Sequence, residues 1–139
     1  MLLLDTHVWL WSADGDTRRV GRRARQALAK AESRDDIRIS PVTIFEVTAL
    51  HTLGRLRLAR PLDQWVHDSL DAAGVRIAEV TPAIAIDAGA IPRAALADPL
   101  DRLLVATARQ LDAVFLTADK GILEYAARTR NLHAQDASS

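Results

Sequence analysis

Five carboxylates in this sequence occupy positions where an acid needs a reason to be: Asp5, Glu46, Asp98, Asp101 and Asp119. Asp5 follows the leucine run Leu2–Leu4 and is followed almost at once by Val8, Trp9, Leu10 and Trp11. A charged carboxylate between two buried segments is costly unless it is hydrogen-bonded, paired or metal-bound. Glu46 lies inside PVTIFEVTALHTLG, where Val42, Ala49, Leu50 and Leu53 are its helical neighbours, although glutamate is normally an exposed residue. Asp98 and Asp101 stand in DPLDRLLVATA, and Asp101 shares a helical face with Leu104, Val105 and Ala108. Asp119 follows the apolar run Val114-Phe115-Leu116, with Thr117 placed to orient a neighbouring carboxylate.

Each acid also has a plainer reading. Asp5, Asp98 and Asp119 all precede helical patterns, and aspartate is a good N-cap. Asp98 could pair with Arg102, and Glu46 could reach solvent from the edge of a buried stripe. Taken together the five have one simple geometric solution, a shared crevice. Several carboxylates in one crevice repel each other, and some would protonate. A hard divalent cation, Mg²⁺ or Mn²⁺, removes the conflict, and helix N-termini at the same rim attract phosphate. That combination points to metal-assisted phosphodiester hydrolysis, in which a metal activates water and steadies the leaving oxygen. Other chemistries find little support. His7, His51, His67 and His133 form no paired ligand spacing and read as ordinary surface or core residues, and there is no G-x-S-x-G, Walker loop or dinucleotide glycine pattern.

The elements that must position these acids follow from the hydropathy pattern. Residues 2–4, 37–39, 75–80 and 114–116 read as short strands, and Asp14–Thr17 as a turn. Helices are expected from His7 to Ala13, from Val20 with its arginines on the outer face, from Pro41 to Gly54, over 62–73, from Pro82 to Ala90, over 99–110 and after Asp119. Short apolar strands alternating with helices imply an α/β fold, a mainly parallel sheet covered on both faces, with ligands at the carboxyl ends of its strands. One domain is expected over 1–133. A short edge strand could follow Asn131, but Ala134 to Ser139 reads as a frayed tail.

Composition bounds the rest. The chain has 139 residues, half of them apolar, and no cysteine, so disulfides and thiolate metal sites are out. That suits a reducing cytoplasm. The leading apolar run is broken at Asp5, so neither a signal peptide nor a membrane span is expected. Net charge is zero, yet sixteen of the basic residues are arginines and two are lysines, with five arginines between Arg18 and Arg25. Arginine's fork suits phosphate, while neutrality argues against indiscriminate coating of nucleic acid.

Four blocks, LLLDTHVWLW, SPVTIFEVTALHTLGRLRL, DPLDRLLVATA and LTADKGI, occur in order along nearly the whole chain. In this it resembles a PIN domain, and within that family the VapC-type toxins of bacterial toxin–antitoxin pairs. The resemblance implies a three-layer α/β/α fold, Mg²⁺- or Mn²⁺-dependent ribonuclease activity and a cognate antitoxin partner. It matches Asp5, Glu46 and Asp119 to three family acids and places the remaining one in the Asp98/Asp101 pair, with Asp101 favoured and Asp98 as a nearby auxiliary acid or cap. It departs from the subgroup at Phe45, where tryptophan is frequent, at Leu50, where lysine is frequent, and at Leu96-Ala97, in place of a basic pair. Arg55, Arg57, Arg18 and Arg22 are candidate substitutes for RNA contact. Two rivals stay open: a non-catalytic RNA- or protein-binding module that keeps the fold, and a haloacid-dehalogenase-like phosphatase, which wants an acid where His7 stands. A homodimer through the Trp9 and Trp11 helix is a further expectation.

Overall fold

The computed structural model describes residues 1–16 and 18–139, so the Thr17 end of the expected 14–17 turn lies outside the described residues. Five strands, β1 (Leu2–Leu4), β2 (Ile37–Ile39), β3 (Val75–Ile77), β4 (Val114–Thr117) and β5 (Ala134–Asp136), form one sheet in the order β3-β2-β1-β4-β5. Every pairing is parallel. Leu2, Leu3 and Leu4 of the central β1 are all buried, the continuous apolar signature of a strand covered on both faces.

The period-two alternation of β1 divides the core. Leu2 and Leu4 face one cluster with Ile37, Ile39 and Leu116, covered by α1 (Thr6–Ala13), α2 (Arg22–Glu32) and α4 (Leu62–Leu70) through Trp9, Ala24 and Trp65. Leu3 faces the opposite cluster with Phe115, covered by α6 (Pro99–Leu111) and α7 (Lys120–Thr129) through Leu104, Val105, Ile122 and Tyr125. The helix α3 (Pro41–Thr52) contributes Val47 to the first cluster and Val42 to the second. The remaining helix, α5 (Pro82–Ala90), packs Ile84 and Ala88 against Ala106 of α6. The result is the expected three-layer α/β/α arrangement.

Two expectations about the chain ends and helices change. The supposed frayed tail is ordered: β5 pairs with β4 along Phe115–Thr117, and Ala137 is fully buried. Ala134, Gln135 and Asp136 show no apolar run because an edge strand is held by its backbone ladder. Beyond it, the Ser139 carbonyl accepts from the N–H groups of Arg23 and Ala24, and the Ala137 carbonyl from Gly21. These bonds cap α2, whose N-cap Gly21 has no side chain to do so. A Cβ at Gly21 would collide with the Ser139 carbonyl, so only glycine admits the tail there. On α1, the two tryptophans separate in role. Trp9 is 2% exposed and packs edge-on against Trp65, with centroids 4.9 Å apart, and therefore offers nothing to a partner subunit. Trp11 is only half-buried.

Candidate active site

Because β1 sits between β2 on one side and β4 on the other, chain connections leave in opposite directions from β1 and β4, which opens a crevice beyond their carboxyl ends. Asp5 is the residue after β1 and Asp119 lies two residues after β4. The expected cap roles and the expected site roles prove compatible. Asp5 is the N-cap of α1, with Oδ1 accepting from the Thr6 N–H at 2.8 Å, and Oδ2 accepts from the Thr117 hydroxyl at 2.6 Å. Thr117 is fully buried, and its hydroxyl oxygen in turn accepts from the Asp119 N–H at 3.0 Å. One threonine thus fixes both acids, as its position in the sequence suggested. Asp119 caps α7, with Oδ1 accepting from Ile122 at 3.0 Å. Gly121 leaves room for that carboxylate, since a Cβ there would come within 3.1 Å of Oδ1.

Glu46 projects from mid-α3 and is half-buried; its Oε1 accepts from the Thr6 hydroxyl at 2.9 Å. Thr6 therefore ties the α1 acid to the α3 acid: its N–H holds Asp5 and its hydroxyl holds Glu46. Sequence reasoning passed over Thr6, whose signal was a threonine directly after the strand-end aspartate. Asp98 is exposed and caps α6 by accepting from Leu100 at 2.8 Å. The anticipated partner Arg102 instead donates to the Ala97 carbonyl at 3.5 Å. Asp101, one turn into α6, is half-buried and is the acid most disturbed by its surroundings.

The electrostatics bring all five acids into one neighbourhood. Burial first, then the negative charges of Asp98, Asp5, Asp119 and Glu46, push the Asp101 carboxyl up to about 7. Burial also raises Glu46, opposed by the Thr6 hydrogen bond and reinforced by Asp5 and Asp98. Asp5 is raised by burial against the opposing hydrogen bonds from Thr117 and Thr6. His7 favours the charged forms of both Asp5 and Glu46 and lines a cleft of about 210 Å³ with Asp5, Trp11, Ala118 and Asp119. It is exposed, as the sequence allowed, and its position places it at the wall of the crevice. The donor set is all oxygen and over-charged, which suits a hard cation. Among the described residues, however, no group of three or more Asp, Glu or His side chains stands close enough together to hold a metal ion.

The arginines proposed for RNA contact are exposed and outside these hydrogen bonds. Arg55 and Arg57 alternate with Leu56 and Leu58, which pack on the core, so the arginines face outward. Arg22 opens α2, and Arg18 lies 3.8 Å from Asp16.

Comparison with known proteins agrees with this geometry. The PIN domain profile matches residues 2–128. Ribonuclease VapC22 of Mycobacterium tuberculosis is 34% identical over 120 residues, covering 86% of this chain and 87% of that one. VapBC2 of Rickettsia felis, solved bound to a DNA fragment from its promoter, superposes with a TM-score of 0.69 at 14% identity, covering 97% of each chain. DNA-bound VapBC of Salmonella typhimurium gives 0.65 at 20% identity, over 97% of this chain and 96% of that one. At such identities the two structures speak for the fold. By the profile match and the 34%-identical relative, the chain belongs to the PIN-domain family, in its VapC-type group, and not to the haloacid-dehalogenase-like family that the sequence left open.

Proposed function

We propose that the protein is a divalent-metal-dependent ribonuclease, the toxin of a toxin–antitoxin pair, held in check by a cognate antitoxin in the cytoplasm. The observation that carries this reading is Asp101, pushed to about 7 by burial and four surrounding carboxylates. A fold does not retain such repulsion for stability, and perturbed acids in a cleft mark functional sites. Asp5, Glu46, Asp101 and Asp119 would hold the cation, with Asp98 at the rim. When bound, Mg²⁺ or Mn²⁺ supplies neutralising charge and an activated water for in-line attack on a phosphodiester.

The chain's own residues do the positioning. Thr117 and the Thr6 N–H hold the Asp5 carboxylate with both oxygens engaged, and the Thr6 hydroxyl steers Glu46 toward the same crevice. Asp119 spends one oxygen on its helix cap, leaving the other free to face the crevice. The N-termini of α1, α6 and α7, all capped by site acids, lie at this rim and favour an incoming phosphate once the acids are neutralised. The outward-facing Arg55, Arg57, Arg18 and Arg22 are the candidate contacts to the RNA backbone. A homodimer belongs to the same reading, with Phe45 of α3, 60% exposed, and Ile86 of α5, 75% exposed, as its apolar contacts instead of Trp9.

The test is RNA cleavage by the wild-type chain and by Asp5→Asn, with Mg²⁺ and then with EDTA. Cleavage should be lost in the variant and in EDTA; activity that persists undiminished in either case rules out the mechanism.

A further inference from the structure

The cleft beside the acids has an aromatic wall for which hydrolysis itself has no use. His7 and Trp11 stand one turn apart on α1, so their rings project from one face of the helix. The ring centroids are 6.1 Å apart and the planes are inclined by 50°. Both rings line the 210 Å³ cleft that also contains Asp5 and Asp119. That volume is below the roughly 300–1,000 Å³ of pockets built for drug-sized ligands and suits a single flat group. The Arg19 guanidinium lies over the Trp11 ring, 5.8 Å from its centroid, and its Nε is 3.4 Å from an Asp16 carboxylate oxygen.

Trp11 differs from the other two tryptophans in being only partly buried. Trp9 and Trp65 are buried against each other, whereas Trp11 packs against the core and lines both this cleft and a second one bounded by Val20, Arg25 and Leu28. Carboxylates, two aromatic rings and a guanidinium are thus grouped around this cleft. Unpaired RNA is recognised by that combination, with bases stacked on aromatic and arginine planes and phosphates met by cations. A polypeptide segment could also cover an exposed indole, but it has no need of a ring and a cation set directly beside a phosphate-cleaving centre.

We propose that Trp11, flanked by His7 and Arg19, is the stacking platform for one unpaired nucleobase next to the scissile phosphate of single-stranded RNA. This rests on the ribonuclease reading given above. Trp11 is then a positioning residue: it orients the base, Arg19 meets an adjoining phosphate, and the acids act on the phosphate between.

Because Trp11 is the one tryptophan open to the cleft, its fluorescence reports on the platform directly. A mixed-sequence RNA of about 12 nucleotides is titrated into the Asp101→Asn protein, alone and with Trp11→Leu or Trp11→Phe added. A ribose–phosphate strand of the same length without bases is the comparison. The base-bearing RNA should quench the indole. Trp11→Leu should weaken binding about tenfold, as loss of one stacked base does, while Trp11→Phe restores most of it. The abasic strand should bind all three proteins equally and without quenching. In the active protein the Trp11→Leu loss should fall on KM, with kcat within about twofold, and thermal melting checks that each variant is folded. Equal RNA affinity with and without Trp11 overturns the platform and leaves the ribonuclease reading standing. Quenching by a co-expressed protein partner but not by RNA also overturns it, in favour of a protein contact. A wild-type chain that neither binds nor cleaves RNA overturns both.

Discussion

Replacing Asp101 with asparagine should make the metal-free protein more stable at pH 8 and leave it unchanged below about pH 4. The folded protein holds the Asp101 carboxyl at about 7 against an ordinary value of 3.8, because burial and then Asp98, Asp5, Asp119 and Glu46 all oppose its charge. An acid raised in the folded state binds more protons there than in the unfolded chain. Stability is therefore highest below about pH 4, falls as pH rises from about 4 to about 7, and is level above. The gap between 3.8 and about 7, at about 1.4 kcal/mol per pH unit, sets a ceiling of about 4 kcal/mol. The side chain is only half-buried, so screening by water reduces this to about 1–2 kcal/mol. Asparagine keeps the shape and removes the charge. In EDTA its advantage should correspond to about 4–8 °C in melting temperature at pH 8 for a chain of this size, falling to less than half of that at pH 5 and vanishing below about pH 4. Melting curves of both proteins across that range are the assay. A variant less stable than wild type at pH 8, or a difference independent of pH, would refute the electrostatic reasoning.

Three further outcomes follow from named contacts. Thr117→Val removes the hydroxyl that donates to Asp5 at 2.6 Å and accepts from the Asp119 N–H at 3.0 Å; it should cost about 1–3 kcal/mol in denaturant melts, and cleavage should fall about 10- to 100-fold, as for other groups that orient metal ligands. Thr117→Ser keeps the hydroxyl and should retain most of both. Gly21→Ala should expel the tail from the N-terminus of α2, read as rapid hydrogen exchange at Arg23 and Ala24, whose N–H groups now donate to Ser139. Arg109→Met breaks the link from α6 to Asp87 of α5 and to the Tyr125 hydroxyl of α7, the latter at 3.0 Å. Stability should fall by about 1–3 kcal/mol, since the pair is only partly buried and Gln110 still donates to Asp87, and Asp87→Asn in the same chain should recover part of it.

How far the sequence disclosed this molecule depended on how local each determinant was. The buried strands β1 and β4 were legible because a strand covered on both faces must be apolar throughout, and Leu2–Leu4 and Val114–Leu116 are; β2 was legible from the alternation of Ile37 and Ile39 around Arg38. β5 was not, since Gln135 and Asp136 are held at a sheet edge by backbone bonds that leave no hydropathy pattern. The acids were legible because Asp5 and Asp119 follow strands directly and Asp101 faces the apolar side of its helix. Whether each acid was a cap or a site residue was a false choice, since Asp5, Asp98 and Asp119 are caps at the rim of the crevice. The preference for Asp101 over Asp98 has a physical counterpart: Asp98 is exposed and spends an oxygen on Leu100, whereas Asp101 carries the largest electrostatic burden. Thr6 was missed, and the place of His7 at the crevice wall was not legible, because both are set by partners distant in sequence. Glu46 lies forty residues beyond Thr6, and the cleft that His7 lines is completed by Ala118 and Asp119.

The central claim is that the over-charged acid crevice is a cation site serving RNA hydrolysis. Calorimetric titration of Mn²⁺ into the wild-type and Asp101→Asn proteins at pH 6.5 and pH 8 tests it most directly. The wild type should bind the ion, releasing more protons at pH 6.5, where Asp101 is still partly protonated. Asp101→Asn should bind at least about tenfold more weakly and lose that extra proton release. Equal affinity in the two proteins, or no binding by a wild-type protein that cleaves RNA, would contradict the account.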